Sequence, residues 1–368
     1  MAVRLKISVL LLAGLTGLFG MNTWATQSSA CARSAGDMSR SCRLETGEEY
    51  NVTIANCRQF ATRAERIACR AVAREERAEA HETCGDQYEA RIEACDLLGE
   101  NRYSDPLENP AIDFIDPNDI GAGGLPNNPY VILQSGHTHV LKSEEEIVVV
   151  HATEDTRDIL GVSCRVIVDI VVEEEFDDEE NEWDYLPIEV TDDWFAQDIH
   201  SNVYYCGEVA QNFEEEVLRD LDGSFEAGRD YAKGGLLTLA MPDPGQVHRQ
   251  EYSLGEAEDI VEYLDIAASP AAEEGGENQA YPCGHSCLRT FDSAPLDPEA
   301  TEYKYYLPGI GFVLAVGLED GELTGEREEL VCVGDSLDVL EERACGIEDP
   351  EELLEELCEL SDAFCEDD

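Results

Sequence analysis

The segment around Trp194 carries acids at a spacing that could do chemistry. Asp192 and Asp193 precede the tryptophan, and Asp198 follows it. Most glycoside hydrolases act through a pair of carboxyl groups, so a secreted hydrolase using the carboxylates near Trp194 is one hypothesis. The same alternation of acids and aromatics is typical of a β-strand with a buried tryptophan, and the pattern favours that structural interpretation.

Two histidines, His137 and His139, lie two residues apart on a predicted strand, so their imidazoles face the same side. Pairing with the next strand brings His151 beside them in one register and places it on the opposite face in a register shifted by one residue. A three-histidine metal site is therefore an open alternative to exposed or packed histidines. The sequence has no GxSxG, HExxH, P-loop or GxGxxG motif in its required context.

The net charge of −58 over 368 residues is the strongest compositional signal. Such a chain repels phosphate, which excludes nucleic acid as a partner, and it is expected to be monomeric unless cations bridge it. Adaptation to a salty habitat and binding of divalent cations both explain the acidity, and calcium is the candidate cofactor. The candidate metal ligands are Asp177, Asp178, Asp220, Asp222, His137 and His139.

The first 25 residues read as a signal peptide, with Arg4 and Lys6 before an apolar run and a cleavage site after Ala25. No later segment is apolar enough to cross a membrane. The mature protein is therefore expected to be secreted, in the periplasm or outside the cell, with an unknown envelope or extracellular partner.

Fourteen cysteines in an oxidising compartment favour disulfides over zinc. If a helical hairpin turns between Cys69 and Cys84, these two residues face each other and Cys57 faces Cys95. Cys31 then pairs with Cys42 by default. We expect Cys164 to meet Cys206, Cys283 and Cys287 to form a close pair, and the tail residues to bridge among themselves in an order that stays open: Cys332, Cys345, Cys358 and Cys365.

The centre of the chain alternates apolar and polar residues as strands do. In the segment 164–172 one face of the predicted strand carries Cys164, Val166, Val168, Ile170 and Val172. The other face carries Arg165 and Asp169 and is expected to be partly exposed to water. Ser253 to Ala268 is the one helix expected in this part. Further strands are expected at Val131–Leu133, Glu146–Val150, Asn202–Cys206, Leu236–Leu239, Tyr303–Leu307 and Gly311–Val316.

Residues 48 to 100 have a helical composition, and five arginines form one stripe along the helix. They are Arg63, Arg66, Arg70, Arg74 and Arg77. The stripe is interpreted either as a solvated face paired with nearby glutamates or as a surface that docks onto acidic protein, in this chain or a neighbour.

Several segments resemble a group of uncharacterised secreted bacterial proteins. They include Asp193–Asp198, Val203–Glu208, Arg249–Tyr252 and Lys304–Gly311. The resemblance covers roughly residues 101 to 331 and implies no activity, ligand or catalytic residue. His139 and His248 depart from the group, where an aromatic and a tyrosine are usual, so neither histidine is expected to be a shared functional group.

Together these patterns predict an α+β fold. Its antiparallel β-rich body is a curved sheet, barrel or sandwich, with a disulfide-stapled N-terminal helical hairpin and a short helical C-terminal tail. The expected divisions are 1–25, 26–100, a Pro/Gly linker at 101–128, 129–331 and 332–368. The leading functional hypothesis is a secreted, non-catalytic structural or binding module, with cation dependence left open.

Overall fold

The computed structural model describes residues 29–121, 124–144, 146–177, 182–214, 216–319 and 321–365. The expected signal peptide and Asp178 lie outside these residues. The α-helices of the described part are α1 (Ala30–Cys57), α2 (Arg63–Leu98) and α3 (Pro350–Leu360). None of these helices is both long and apolar enough to span a membrane.

The strands of the described residues form one antiparallel sheet of fourteen strands that is not closed, and this confirms the predicted fold class. The strands are β1 (Thr138–Lys142), β2 (Glu146–Ile159), β3 (Val162–Asp177), β4 (Glu182–Gln197), β5 (Val203–Glu214), β6 (Val217–Asp220), β7 (Phe225–Glu226), β8 (Gly235–Thr238), β9 (Val247–Arg249), β10 (Ile260–Ala268), β11 (Cys287–Ala294), β12 (Asp297–Leu307), β13 (Gly311–Glu319) and β14 (Glu322–Gly334).

The sheet runs in the order β6-β5-β4-β3-β2-β1-β14-β13-β12-β11-β10-β9, with β7 and β8 also paired to β5. Strands β3 and β12 are five steps apart, about 24 Å along a flat sheet. Asp169 of β3 and Lys304 of β12 nevertheless line one cavity. The sheet is therefore strongly curved, and one face is its inside.

The outer face is covered by the C-terminal segment. Leu353 and Leu357 of α3 and Phe364 beyond it are buried against aliphatic side chains of the strands, including Val168 and Ile170. Helix α3 begins where expected, because the Asp349 side chain accepts a hydrogen bond from the Glu352 N–H and Pro350 occupies the first turn. Strand β14 continues to Gly334, so the expected tail boundary at 332 falls within a strand.

The N-terminal helices form a hairpin, but its turn is not where the sequence analysis placed it. The turn lies at residues 58–62, and α2 begins with a capping box in which Thr62 and Glu65 exchange hydrogen bonds. The expected turn between Cys69 and Cys84 is wrong, because α2 runs without interruption through that region. The Thr-x-x-Glu spacing was the signal that could have located the helix start.

Moving the turn changes the disulfides. The bonds that join α1 to α2 are Cys31–Cys95, Cys42–Cys84 and Cys57–Cys69. The two residue numbers add to 126 in all three pairs, as an antiparallel hairpin requires. The expected pairings Cys57–Cys95, Cys69–Cys84 and Cys31–Cys42 are therefore wrong.

The other cysteines of the described residues are also in disulfides, and none of the fourteen is free. The pairs Cys164–Cys206 and Cys283–Cys287 agree with expectation, and the tail bonds, left open above, are Cys332–Cys345 and Cys358–Cys365. The cysteines therefore have no thiolate to offer a zinc ion.

Two local expectations are wrong. Residues 260–268 are strand β10 rather than the end of a helix, because Ser253 and Ala257 close a turn and β-branched Ile260 and Val261 pair on both sides. Val131–Leu133 is not a strand. There the side chains of Asn127 and Asn128 accept hydrogen bonds from the backbone N–H groups that a ladder would use.

The described part of the Pro/Gly segment at 101–128 is mostly irregular, with a short 3₁₀ turn at Pro117–Asp119. It does not lie free of the sheet. Leu107 and Ile120 are buried, and Phe114 forms an isolated bridge with Asp198. The segment is therefore a packed covering of the β3–β5 end of the sheet.

Candidate functional site: an acidic cavity inside the sheet

The inner face of the curved sheet encloses a cavity of about 620 Å³. Strand alternation explains its composition. On β3 the residues before and after Asp169 face the outer core, whereas Ile167, Asp169 and Val171 face inward. This volume lies within the range of small-molecule sites in proteins.

Carboxyl groups from four strands line the cavity. They are Asp169, Glu189, Asp193, Glu302 and Glu328. In the described lining, Lys304 is the basic side chain facing them, and its ammonium group lies 2.8 Å from Glu302 Oε1 and 3.6 Å from Asp292 Oδ2. Burial alone would lower the pKa of Lys304, but these two carboxylates outweigh it and raise the pKa well above its ordinary value.

Asp169 and Glu328 also line the cavity but form no ion pair in the described structure. Asp169 Oδ1 is shielded from water and has no hydrogen-bond partner. Burial, followed by repulsion from Asp193 and Glu328, raises the pKa of Asp169 well above its usual range. Burial likewise raises the pKa of Glu328 to about 7, although nearby Lys304 lowers it. These two acids therefore hold protons at pH values where surface acids are ionised.

A hydrogen-bonded group extends the acidic wall onto β5. The Tyr205 hydroxyl contacts Asp193, and it lies 2.9 Å from Glu208 Oε2. Burial raises the pKa of Asp193 to about 7 and that of Glu208 to about 9, and the mutual repulsion of the two carboxyls adds to the shift at Glu208. Burial raises the pKa of Glu251 well above normal, and the nearby carboxyl groups of Glu208 and Asp193 add to this shift.

Apart from two histidines, the rest of the described cavity lining is apolar and aromatic. Its non-polar lining includes Tyr130, Leu133, Val150, Phe195, Tyr306 and Phe312. Tyr306 and Phe312 pack with ring centroids 5.5 Å apart. The cavity thus combines hydrophobic surface, aromatic faces that attract cations, and carboxyl groups that gain from a positive partner.

The histidines divide between the two faces of β1 and β2. His137 and His139 lie at the cavity, with their Nε2 atoms 3.3 Å apart, and burial lowers the pKa of His139 to about 4. His151 pairs with Thr138 and packs near Phe364 on the outer face. The three-histidine site is therefore not assembled, because the register is the one that separates His151 from the pair.

The carboxylates near Trp194 are also separated. Asp192 and Asp193 are neighbours on β4 and face opposite sides, and Trp194 is buried under Arg157. Asp198 is occupied by its own turn, where it accepts hydrogen bonds from the backbone N–H groups of residues 200 and 202. Only Asp193 reaches the cavity.

The weak calcium candidates do not form a ligand set in the described residues. Both carboxylate oxygens of Asp220 face protein donors, Asn212 Nδ2 at 2.8 Å and Arg219 Nε at 3.4 Å. Asp222 stands beside it with its backbone N–H donating to Asp220. Asp177 ends β3. No cluster of three potential ligands is found in the part of the chain that the structure describes.

Sequence reasoning found Asp193 but missed Asp169, Glu189, Lys304 and Glu328 as site residues. It assigned Asp169 and Arg165 to a wet face, whereas Arg165 is 1% exposed and donates to the Glu154 carbonyl. The available signal was the presence of charged residues at every second position of strands that are otherwise rich in aliphatic residues. This signal could be interpreted as a cavity only with the curvature of the sheet, and the alternation of side chains along a strand does not encode that curvature.

Comparison with known proteins adds little to this geometry. No family model and no curated protein matches the chain. Among solved structures, one match is a Bacteroides fragilis protein described as exported and as having a YmcC-like fold. The sequence identity is 12%, the match covers 57% of this chain and 98% of that chain, and the TM-score is 0.23.

Proposed function

We propose that this chain is a secreted, non-catalytic binding module that takes an organic cation into its cavity. Secretion is supported by the seven disulfides of the described residues, which persist in oxidising compartments. The resemblance to secreted bacterial proteins supports the same compartment.

One observation carries the choice of ligand. Lys304 already places an alkylammonium group in the cavity, paired with Glu302 and Asp292. Asp169 and Glu328 line the same cavity and form no ion pair in the described structure. A second alkylammonium, brought by a ligand, would favour ionisation of these two acids and pair with the carboxylates, while its hydrocarbon part covers Phe195 and Phe312.

Calorimetric titration with hexylammonium tests the proposal, with hexanoate as the probe of opposite charge. We expect saturable binding of hexylammonium and none of hexanoate. Asp169→Asn and Glu328→Gln should each weaken binding about tenfold, equivalent to about 1.4 kcal/mol. Glu359→Gln, which removes an exposed acid on α3, is the matched control and should change Kd less than about twofold. Equal weakening by all three variants would show diffuse surface binding and reject the cavity as the site.

A second candidate function is hydrolysis of a glycoside, favoured by the pairing of Asp193 and Glu208 through Tyr205. A protonated acid beside a second carboxyl group is what acid–base chemistry at a glycosidic bond needs. A panel of 4-nitrophenyl glycosides is the assay. Turnover that falls at least about 100-fold in Asp193→Asn would favour this function over pure binding.

A further inference from the structure

The distal end of the helical hairpin has the opposite charge from the rest of the molecule. Residues 52–74, here called the basic tip, contain five arginines and one glutamate, a net charge of +4. All other residues together carry −62. The tip also exposes apolar side chains, with Ile67 58% and Phe60 48% exposed.

The basic tip is not docked on its own sheet. The hairpin is held to the sheet near the other end of α2, where Arg91 and Glu258 form a buried ion pair of 2.7 Å. From Arg91 to Ile67 the helix extends about 36 Å. Among the described residues no hydrogen bond, ion pair or disulfide joins the tip to the sheet. Arg70 Nε there is shielded from water and has no acceptor.

Helix α3 offers the complementary surface. Its apolar side packs on the sheet, and in eleven residues it carries five glutamates and no basic residue. They are Glu351, Glu352, Glu355, Glu356 and Glu359, here called the acidic helix face. Partial burial, then repulsion from Glu359 and Glu216, raises the pKa of Glu356, so this face gains from a positive neighbour. Its spacing of three and four residues matches that of the tip arginines.

We propose that the basic tip of one copy docks on the acidic helix face of a second copy. At physiological ionic strength the Debye length is about 8 Å, so the local charges at the contact decide the interaction rather than the net charge of −58. The contact joins two different surfaces and is therefore heterologous, which gives head-to-tail chains or rings.

Sedimentation velocity of the oxidised full-length mature chain tests this docking. We expect self-association at about 150 mM NaCl, weakened at about 10 mM by long-range repulsion and at about 1 M by screening of the contact. Arg63→Glu with Arg74→Glu, or Glu355→Arg with Glu359→Arg, should each weaken it at least tenfold. Combining all four substitutions exchanges the signs of charge at the substituted positions, so that glutamates on the tip can pair with arginines on α3, and it should recover part of the association.

The matched control is Arg40→Glu with Arg43→Glu, which makes the same change of charge on α1 outside the tip and should leave association unchanged. Monomers at every salt concentration would overturn the proposal, as would equal loss in the control. Association that survives the tip substitutions would overturn it too. Sedimentation with vesicles of phosphatidylglycerol, lost on substitution of the tip and without self-association, would assign the tip to a membrane surface instead.

Discussion

Asp193 and Glu208 are acids whose surroundings resist ionisation. In the unfolded chain their pKa values are near 3.8 and 4.5, whereas burial raises them to about 7 and about 9 in the folded protein. The folded state therefore binds protons that the unfolded state releases. Such groups stabilise the fold fully at acidic pH and lose that contribution as pH rises through the folded pKa.

We predict that the free energy of unfolding falls between about pH 4 and about pH 9. Each coupled proton contributes a slope of up to about 1.4 kcal/mol per pH unit. Asp193→Asn and Glu208→Gln should flatten the slope, and exposed Glu359→Gln should leave it unchanged. Urea unfolding at a series of pH values measures it. A slope identical in all four proteins would show that these carboxyls do not hold protons in the fold.

At the scale of elements, the sequence predicted the type of each large part better than its position. Alternation identified β3 and β13, and Asp349-Pro350 identified α3. The hairpin turn was misplaced because cysteine spacing was considered without Cys31 and Cys42. The cavity was not predictable, since its acids come from strands that only curvature brings together.

The capping box at the start of α2 gives a prediction at this scale. Thr62→Ala removes a side chain that accepts a hydrogen bond from the Glu65 N–H, and caps of this kind contribute about 1 kcal/mol. We expect faster amide exchange in the first turns of α2, by roughly fivefold. Thr83→Ala, in the middle of the same helix, should cause no such change. Equal exchange in the two variants would mean that the Cys57–Cys69 bond alone fixes the helix start.

The packing of α3 on the outer face of the sheet gives a second prediction at this scale. Leu357 is fully buried against the sheet, so Leu357→Ala should cost about 2–5 kcal/mol of unfolding free energy. Leu44 is 70% exposed on α1, and Leu44→Ala should cost less than about 0.5 kcal/mol. Denaturant unfolding measures both. A small effect at Leu357 would indicate that α3 is dispensable for the sheet.

At the scale of the whole molecule, the net charge of −58 must be screened for the fold to be most stable. We predict that molar NaCl raises the melting temperature relative to low salt with chelator. Calcium at about 1 mM should raise it no more than sodium chloride that screens equally, because Asp220 is already occupied by protein donors. A saturable rise in melting temperature that is specific to calcium would instead reveal an ion site. A ligand that binds only the folded state adds RT ln(1 + [L]/Kd) to the free energy of unfolding.

The pairing of β1 with β14 has a consequence for the order of events in folding. Thr138 pairs with Gly334, so the strand that begins the sheet meets the strand that ends it. While the chain is synthesised from its N-terminus, the edge of β1 that pairs with β14 stays open until β14 itself has been made. Folding with such distant partners is slow, and open edges recruit other chains. The pairing of β1 with β14 is therefore the step at which aggregation competes with completion of the sheet. A chaperone that covers these edges should favour completion, and a truncation that removes β14 should favour aggregation.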